Sequence, residues 1–366
     1  MKIFYDHQIF SLQNFGGASR LFAELAININ QHSVHQAHIS AFLSNNAYLR
    51  EKDYKLPVDA QTFKVFGKRG LLGPINDLYT TLDMNLRRFD IYHATYYSTK
   101  FLKFAKEKPV VVTFLDMIHE RFHDKFPEIA ADKKVIKQKE EIARMATHII
   151  SISESTKKDM VEIYGIDPAK ISVAHLGSSF DSSLAEKDAN PVHPYLLYVG
   201  TRDAYKNFKL MLRSIAGTLL NNDIRLICAG GKNFSAEETA LIESLKLTSL
   251  VEHDSINDKK LATLYTNALA FIMPSLYEGF GIPVLEAFSC DCPCIISNTS
   301  SLPEVGGDAA VYIDPYSEDS IKHSVESVIS SVALRNEMII KGRERLKDFS
   351  WEKMATETIK VYETLL

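Results

Sequence analysis

The sequence of 366 residues contains no apolar run that approaches the roughly twenty residues a helix needs to cross a bilayer. It also lacks a G-x-G-x-x-G motif, a long basic stripe with interleaved aromatic residues, and any tandem repeat. The missing glycine motif argues against a dehydrogenase, and the missing basic stripe excludes nucleic acid as a partner. Near the start of the chain, charged Lys2 and Asp6 and then His7 interrupt the apolar residues too early for a signal peptide. These absences predict a cytoplasmic protein.

Cysteine is scarce, and its spacing argues against a metal site. Cys228 lies in an apolar stretch, and the other three cysteines form a C-x-C-x-C cluster at positions 290, 292 and 294. Alternate residues of an extended segment point to opposite faces, no histidine is near, and the spacing differs from the C-x-x-C of zinc ligands. We therefore predict four small buried residues and no metal; a metal site at the cluster is the alternative.

Length and composition predict two domains. A chain of 366 residues with 46% hydrophobic and 24% charged residues is too long for one typical core and can bury two. Strand-like and helix-like segments alternate throughout, which is typical of parallel sheets covered by helices. The predicted helices include one from Leu21 to about Asn30 after a Gly16-Gly17 loop, one capped near Ser153 that ends at Tyr164, and a last one from Ala355 to Leu365. We place the first domain at 1–180 together with a C-terminal helix in 350–366, and the second at 192–349. The polar stretch 178–194 is the predicted linker.

The most informative stretch is a strand, a glycine-bearing loop and a helix N-terminus. The apolar run 268–273 predicts a buried strand, and Pro283 suits the first turn of a following helix. Free N–H groups at such an end attract anions, and Gly281 lets a ligand approach the backbone. Glu278 and Glu286 flank this loop, where carboxylates can hold sugar hydroxyls. The alternative is that both glutamates only cap and solvate the helix.

A second predicted strand is followed by two basic residues. The apolar run 195–199 ends at Gly200 and is followed by Arg202 and Lys206. Cations at the carboxyl end of a parallel strand suit a diphosphate, because charge develops on the leaving oxygens as a glycosidic bond breaks. We expect both side chains to face solvent.

The string EGFGIPVLEA at residues 278–287, with seven residues between its glutamates, resembles the signature of the retaining nucleotide-sugar transferases of glycosyltransferase family 4. The resemblance spans nearly the whole chain, is strongest in 195–315 and is weakest around Leu115. It implies an α/β protein of the GT-B class. In that class two Rossmann-like domains face each other across a cleft, and the C-terminal helix crosses back to the first domain.

The resemblance also implies roles for individual residues. Arg202 and Lys206 would bind the diphosphate, Glu286 the ribose, and Glu278 the donor sugar with the backbone of the following loop. The implied donor-binding set is Gly17, Gly200, Arg202, Lys206, Gly230, Phe280, Gly281, Ile282, Leu285 and Glu286. The implied catalytic set is Glu278, Arg202, Lys206, Asp116 and His119. The resemblance implies no Asp-x-Asp metal clamp and no cofactor, only a nucleotide diphosphate sugar as substrate, with GDP or UDP as the expected carrier.

The acceptor-side loop departs from the family pattern. Thr113 and Asp116 match the Thr-x-His-Asp segment, but Leu115 occupies the histidine position. His119 is the candidate replacement, and an ordinary polar loop residue is its alternative. Residues 93–97 carry aromatic rings suited to stacking on sugars, so we expect them to line the acceptor pocket.

The implied reaction transfers a hexosyl group, with retention of configuration, to a glycan or lipid-linked acceptor. The resemblance is to bacterial mannosyl- and rhamnosyl-type transferases that assemble surface polysaccharide such as lipopolysaccharide, O-antigen or capsule. The alternatives are a sugar-nucleotide epimerase or a phosphorylase of the same fold, and a non-catalytic partner subunit. The sequence does not distinguish the sugar, the base, the acceptor or the oligomeric state.

Charge is unevenly distributed along the chain. Residues 1–180 contain 24 Lys and Arg against 20 Asp and Glu, and residues 181–366 contain 18 against 26. A basic first half favours peripheral contact with an anionic membrane, at the inner face of the plasma membrane. The alternative is an ordinary solvated helix face. The candidate cations lie on a helix predicted from about Asp132 to Ala146 and on a preceding segment: Lys133, Lys134, Lys137, Lys139 and Arg144, with Lys103, Lys106 and Lys108.

Overall fold

The computed structural model describes residues 1–52, 54–58, 69–130, 133–186 and 193–366. Within these ranges the chain forms two compact units, Met1–Gly177 with Ser350–Leu366, and Ser178–Phe349. Asp132 and residues 187–192 of the predicted linker lie outside the described residues. Among the helices that the structure describes, none combines the length and the apolar character that a membrane crossing requires.

The first unit is built on a six-stranded sheet in the order β2-β1-β3-β4-β5-β6, and every neighbouring pair is parallel. The sequence of β4, VVVTF, is buried at all five positions, as expected for a strand covered on both faces. The strands are β1 Lys2–Tyr5, β2 Gln36–Ile39, β3 Ile91–Ala94, β4 Val110–Phe114, β5 His148–Ser151 and β6 Ile171–Val173.

Helices connect these strands. Ser153 caps one of them as predicted, because its Oγ accepts the N–H of Thr156 at 3.1 Å, and Gly165 ends that helix in the left-handed conformation. The helix predicted from position 21 begins earlier, at Gly17. The helices of this part are α1 Gln8–Leu12, α2 Gly17–His32, α3 Ala47–Glu51, α4 Arg69–Leu86, α5 Leu102–Ala105, α6 Ile118–Phe122, α7 Pro127–Ala130, α8 Lys133–Met145 and α9 Glu154–Tyr164.

The second unit carries another six-stranded parallel sheet, in the order β12-β11-β10-β7-β8-β9. Its core is aliphatic, with Leu196, Leu226 and Ile272 from three neighbouring strands fully buried together. The strands are β7 Tyr195–Val199, β8 Arg225–Ala229, β9 Val251–Asp254, β10 Ala270–Met273, β11 Cys294–Ser297 and β12 Ala310–Ile313. The two parallel sheets confirm the predicted α/β class.

The helices of the second unit cover this sheet. They are α10 Phe208–Asn222, α11 Ala236–Ser244, α12 Asp258–Asn267, α13 Ile282–Ser289, α14 Leu302–Gly306, α15 Glu318–Ser330 and α16 Val332–Leu346. The described start of the predicted linker packs on this unit, since Asn267 Nδ2 donates to the carbonyl of Glu186 at 2.9 Å. All four cysteines are free and buried, and burial raises the pKa of the Cys228 thiol to about 12.

The last helix, α17 Trp351–Thr364, belongs to the first unit and packs against α2. Ser350 caps it by accepting the N–H of Lys353 at 3.0 Å, so the helix begins four residues before its predicted start at 355. The Tyr362 hydroxyl lies 2.5 Å from His93 Nδ1 and 2.8 Å from the Tyr5 hydroxyl. A buried polar network therefore holds the chain terminus to the first sheet.

Candidate active site

The switch point of the second sheet lies between β7 and β10, because later strands are added outward on both sides of this pair. In such sheets the connections leave in opposite directions, and ligands bind in the crevice at the carboxyl ends of the two strands. The loops 200–207 and 274–281 follow β7 and β10. They contain the two predicted cations and Glu278, so the topology brings both predicted motifs to one edge.

Lys206 and Glu278 form an ion pair across these two loops, with 2.6 Å between Nζ and Oε1. Their side chains are only 20% and 10% exposed. Burial alone would lower the pKa of Lys206, but the charge of Glu278 and its hydrogen bond outweigh that effect and the pKa is raised. The lysine therefore keeps its full positive charge at neutral pH, as binding of a diphosphate requires.

Helix α13 begins at Ile282, four residues after Glu278. Its N-cap is Gly281 at a φ of 123°, where a side chain would be strained and a Cβ would lie 3.0 Å from Leu302 Cδ2. Gly281 has no side chain to cap the first turn, and Pro283 lies within that turn as predicted. The positive end of the helix dipole is thus available to an anion.

Three consecutive hydroxyl residues after β11, at 299–301, hold the loop that precedes α13. Ser301 Oγ donates to the carbonyls of Glu278 at 2.9 Å and Phe280 at 2.7 Å. Ser300 Oγ accepts the N–H of Glu278 at 2.9 Å. The donor-binding and catalytic residues predicted from the sequence did not include these serines. The available signal was a hydroxyl cluster directly after a strand that pairs with β10.

Asn207 joins the neighbouring loops. Its Nδ2 donates to the carbonyl of Pro274 at 3.1 Å and to that of Pro315 at 2.7 Å, and the N–H of Leu276 donates to the carbonyl of Tyr205 at 2.8 Å. The loops after β7, β10 and β12 are therefore held together by hydrogen bonds, which fixes Lys206 beside Glu278.

Arg202 was predicted to face solvent, and this is wrong, because its side chain is only 4% exposed. Nε donates to Glu238 Oε1 at 2.8 Å, Nη2 donates to the carbonyl of Lys232 at 2.5 Å, and the guanidinium carbon lies 4.7 Å from the centre of the Phe234 ring. Within the described residues, the buried Nη1 has no hydrogen-bond partner. The arginine predicted to bind diphosphate therefore has one guanidinium nitrogen that is both buried and unsatisfied.

Glu238 explains why Arg202 is held inward. It is the third residue of α11 and forms a capping box with Ser235, whose N–H donates to Glu238 Oε2 at 2.7 Å. The second carboxylate oxygen is left for Arg202. Glu238 lies 36 positions after Arg202, and sequence reasoning did not connect the two.

Gly200 and Gly230 directly follow β7 and β8. Gly230 and Gly231 have φ values of 80° and 70°, which favour glycine. A Cβ on Gly231 would lie 3.0 Å from the carbonyl of Gly200 and 3.6 Å from Arg202 Nη1. A side chain at position 231 would therefore crowd the turn beside Arg202.

The remaining donor-side residues lie on or next to α13. Glu286 is half-buried and accepts a hydrogen bond from the Tyr265 hydroxyl at 3.3 Å. Burial, with the charge of Glu286, raises the pKa of Tyr265 well above its usual value. The side chains of Phe280 and Leu285 are buried in the core, so a ligand would meet their backbone rather than their side chains. Ile282 is half-buried in the first turn.

The acceptor-side loop belongs to the first unit and follows β4. Asp116 Oδ1 accepts the N–H of Ile118 at 3.1 Å, and its carbonyl accepts a hydrogen bond from Lys139 Nζ at 2.8 Å. Lys139 is buried against Glu120, with 2.8 Å between Nζ and Oε2. It was predicted to be a membrane-facing cation, and this is wrong because Glu120 and Asp116 hold it in the interior. His119 lies in the first turn of α6.

Residues 93–97 do not form the expected open aromatic surface. His93 is fully buried, with Nε2 2.9 Å from Thr113 Oγ1 and Nδ1 bonded to Tyr362. Tyr97 is also buried, and its hydroxyl accepts the N–H of Leu115 at 3.3 Å. These side chains support the acceptor loop from beneath.

Gly17 is the first residue of α2, at a helix N-terminus as predicted. The N–H of Ser19 donates to Gln13 Oε1 at 3.1 Å, so a side-chain oxygen already satisfies part of this terminus. Among the described residues, no group of three or more His, Cys, Asp or Glu side chains could hold a metal ion.

A doubly wound sheet with a cation, a carboxylate and an uncapped helix N-terminus at its switch point is an arrangement suited to an anionic ligand. Two family models match consecutive parts of the chain, "Glycosyltransferase Family 4" over residues 15–179 and "Glycosyl transferases group 1" over residues 180–345. The chain therefore belongs to glycosyltransferase family 4, as the sequence motifs predicted.

Relatives and solved structures agree with this assignment. O-antigen chain mannosyltransferase B of Escherichia coli is 30% identical over 230 residues, which cover 59% of this chain and 60% of that protein. Sucrose-phosphate synthase from Thermosynechococcus elongatus superposes with a TM-score of 0.77 at 16% identity, covering 100% of this chain and 98% of that one. Anabaena HepE in complex with UDP and glucose gives 0.73 at 15% identity and covers both chains completely. These neighbours confirm the GT-B class.

Proposed function

We propose that this protein is a retaining glycosyltransferase that transfers a hexosyl group from a nucleotide diphosphate sugar to a glycan or lipid-linked acceptor of bacterial surface polysaccharide. The observation that carries the proposal is the Lys206–Glu278 pair at the N-terminus of α13. A lysine and a helix dipole would supply positive charge for a diphosphate without a metal, and the charge of the buried Arg202 guanidinium would add to it.

In this reaction the bond between the anomeric carbon and the diphosphate oxygen breaks, and a bond from that carbon to the acceptor oxygen forms. The proton of the acceptor hydroxyl is released with the nucleoside diphosphate. Lys206 and the amides of α13 would take up the negative charge of the leaving group, and Glu278 would hold sugar hydroxyls. Glu286, one helical turn further on, would bind ribose.

The name of the Escherichia coli relative supports a mannosyl donor and an O-antigen type of acceptor, and the UDP held by Anabaena HepE supports a nucleotide diphosphate. GDP-mannose is therefore the first donor to test and UDP-glucose the second. Acceptor contact would fall to the Asp116 loop of the first unit, with His119 in place of the family histidine.

The test incubates the full chain with GDP-mannose or UDP-glucose and a polyprenyl-linked saccharide, and follows nucleotide release and the anomeric configuration of the product. Release that requires acceptor and gives retained configuration is expected. Conversion of donor without acceptor would indicate an epimerase, and dependence on free phosphate would indicate a phosphorylase. Absence of both transfer and donor hydrolysis would indicate a non-catalytic subunit.

A further inference from the structure

Helix α4 presents its apolar side chains to solvent. Ile75, Leu78, Leu82 and Leu86 are 36%, 64%, 52% and 83% exposed. Their spacing of three, four and four residues places them within an arc of about 80° on a helix of 3.6 residues per turn. Single exposed leucines are ordinary, but a continuous stripe of four on one helix face is not. We call these four residues the α4 stripe.

The opposite face of α4 is buried and mixes the polar side chains of Asn76 and Thr80 with the apolar side chains of Leu72 and Met84. Asn76 accepts the N–H of Phe42 at 2.8 Å and donates to the carbonyl of Leu43 at 2.9 Å. Thr80 donates to the carbonyl of Ser40 at 2.8 Å. These hydrogen bonds fix which face of the helix is turned inward, and the α4 stripe lies on the other face.

Unpaired cations lie next to the end of the stripe. A surface depression is lined by Leu86 together with Arg88, Phe104, Lys106 and Lys108. The neighbouring depression is lined by Lys103, Lys106, Lys108 and the exposed Met145. All four cations are exposed, and in the described part of the chain none of them has an ion-pair partner. Two carboxylates line the same region, Glu107 in both depressions and Asp90 in the first. The apolar stripe therefore adjoins a basic cluster of Arg88, Lys103, Lys106 and Lys108, in which cations outnumber carboxylates.

We infer that the α4 stripe and the basic cluster together form a docking surface for an anionic lipid bilayer. A helix that lies in the membrane interface inserts an apolar stripe at the boundary between headgroups and acyl chains, while nearby cations contact lipid phosphates. An apolar protein partner would cover the leucines but leave the four cations without anions. This inference rests on the proposed function only in that a lipid-linked acceptor would be met at this surface.

This surface overlaps the one expected from sequence. On α8, Lys139 is buried with Glu120 and Arg144 is bonded to Glu140, whereas Lys133, Lys134 and Lys137 are exposed. Lys103, Lys106 and Lys108 of that prediction belong to the basic cluster. No local pattern predicted the α4 stripe, because the inward face of the helix is decided by hydrogen bonds to residues more than thirty positions away.

The test measures co-sedimentation of the full chain with vesicles of phosphatidylglycerol in phosphatidylcholine, and with phosphatidylcholine alone. We expect binding to the anionic vesicles at low salt and release at high salt. Leu78→Ser with Leu82→Ser and Leu86→Ser should weaken binding at least tenfold. Lys103→Glu with Lys106→Glu should weaken it by about fivefold or more for each lysine changed, as expected for cations near an anionic surface.

Matched variants on the other unit control for general effects. Val332→Ser with Ile340→Ser removes two apolar residues of α16 that are about as exposed as the leucines of the α4 stripe. This double variant should leave vesicle binding unchanged. Lys322→Glu with Arg213→Glu makes the same change in net charge on exposed residues of the second unit. Circular dichroism and thermal melting establish that each variant is folded.

Wild-type protein that binds no vesicle at any salt concentration, or a leucine variant that binds like wild type, overturns the inference. Sedimentation velocity adds a further arm, in which a wild-type dimer that the leucine variant dissociates, with unchanged vesicle binding, would assign the stripe to a second copy instead. Thermal stabilisation of the wild-type protein by GDP or UDP is measured in parallel. If neither nucleotide stabilises the protein, that result counts against the proposed function and not against this surface.

Discussion

Lys206 is the residue whose removal tests the site most directly, because its charge serves both the ligand and Glu278. We expect Lys206→Ala to reduce turnover by about a hundredfold, as loss of one preorganised donor commonly does. The variant should also lose about 1–3 kcal/mol of unfolding free energy, since Glu278 is left largely buried without its partner. Donor turnover and urea denaturation measure the two effects.

A rescue separates them. Lys206→Met combined with Glu278→Gln removes both charges and should recover stability without recovering turnover. Lys209→Ala is the control, because its ion pair with Glu237 lies at the surface. Transfer at a near-normal rate by Lys206→Ala would reject the role of this lysine in catalysis.

Glu238 is predicted to act through Arg202. Glu238→Gln removes the charge that holds the buried guanidinium and keeps only one acceptor oxygen for two donors, so we expect turnover to fall about tenfold and the free energy of unfolding to fall by about 1–3 kcal/mol. A double-mutant cycle with Arg202→Lys should be strongly non-additive. Glu237→Gln, one position earlier and exposed, is the control. Additive effects would show that Glu238 does not act on catalysis through Arg202.

His93 makes stability depend on pH. Burial lowers its pKa to about 3, whereas a histidine in the unfolded chain has a pKa of about 6.5. Between these values the unfolded state binds a proton that the native state does not. The free energy of unfolding should therefore fall by about 1.4 kcal/mol for each unit that the pH drops below 6.5.

Urea denaturation from pH 7 to pH 4 measures this slope, and His93→Gln should make it shallower. His7, whose pKa is also lowered by burial, contributes a second part of the slope that remains in the variant. His32→Gln changes an exposed histidine and should leave the slope unchanged. An identical slope in wild type and His93→Gln would contradict the assignment.

At the scale of elements, the loop before α13 depends on a partner strand for its shape. Ser301→Ala removes two hydrogen bonds to the carbonyls of Glu278 and Phe280 in the interior. We expect about 1–3 kcal/mol of destabilisation and roughly tenfold weaker nucleotide binding, because the loop would lose its fixed conformation. Calorimetric titration with GDP or UDP measures the second effect.

Ser297→Ala is the matched change, because Ser297 is equally buried but donates to Met273, the last residue of β10, rather than to the loop. It should destabilise the protein without weakening nucleotide binding. Similar nucleotide affinities for the two variants would show that the hydroxyl of Ser301 supports only the fold.

At the scale of the whole molecule, ligand binding should raise stability. A nucleotide at about a hundred times its dissociation constant adds about 2.7 kcal/mol to the free energy of unfolding. Thermal melting with GDP, UDP, TDP and ADP should identify one base. Glu286→Gln should require more nucleotide for the same shift, because it removes ribose binding, whereas Glu278→Gln should lower turnover with little change in this shift. The reverse pattern would exchange the two roles.

The local patterns of the sequence determined the class of the protein and the kind of site it carries. Apolar runs bounded by glycine and proline marked the strands, Ser153 and Pro283 marked helix starts, and the residues 278–287 indicated the family. These features depend on backbone sterics, hydrogen bonding within one helical turn and burial of adjacent residues, all of which are encoded by neighbours in the chain.

Tertiary structure alone decided which groups are paired and which are exposed. Arg202 is held by Glu238, Lys139 is buried by Glu120, and Glu278 is supported by serines more than twenty positions away. The α4 stripe faces outward because distant carbonyls and amides bind Asn76 and Thr80 on the opposite face of the helix. Such choices depend on which elements the parallel sheets bring together, and contacts between residues far apart in sequence carry no local signal.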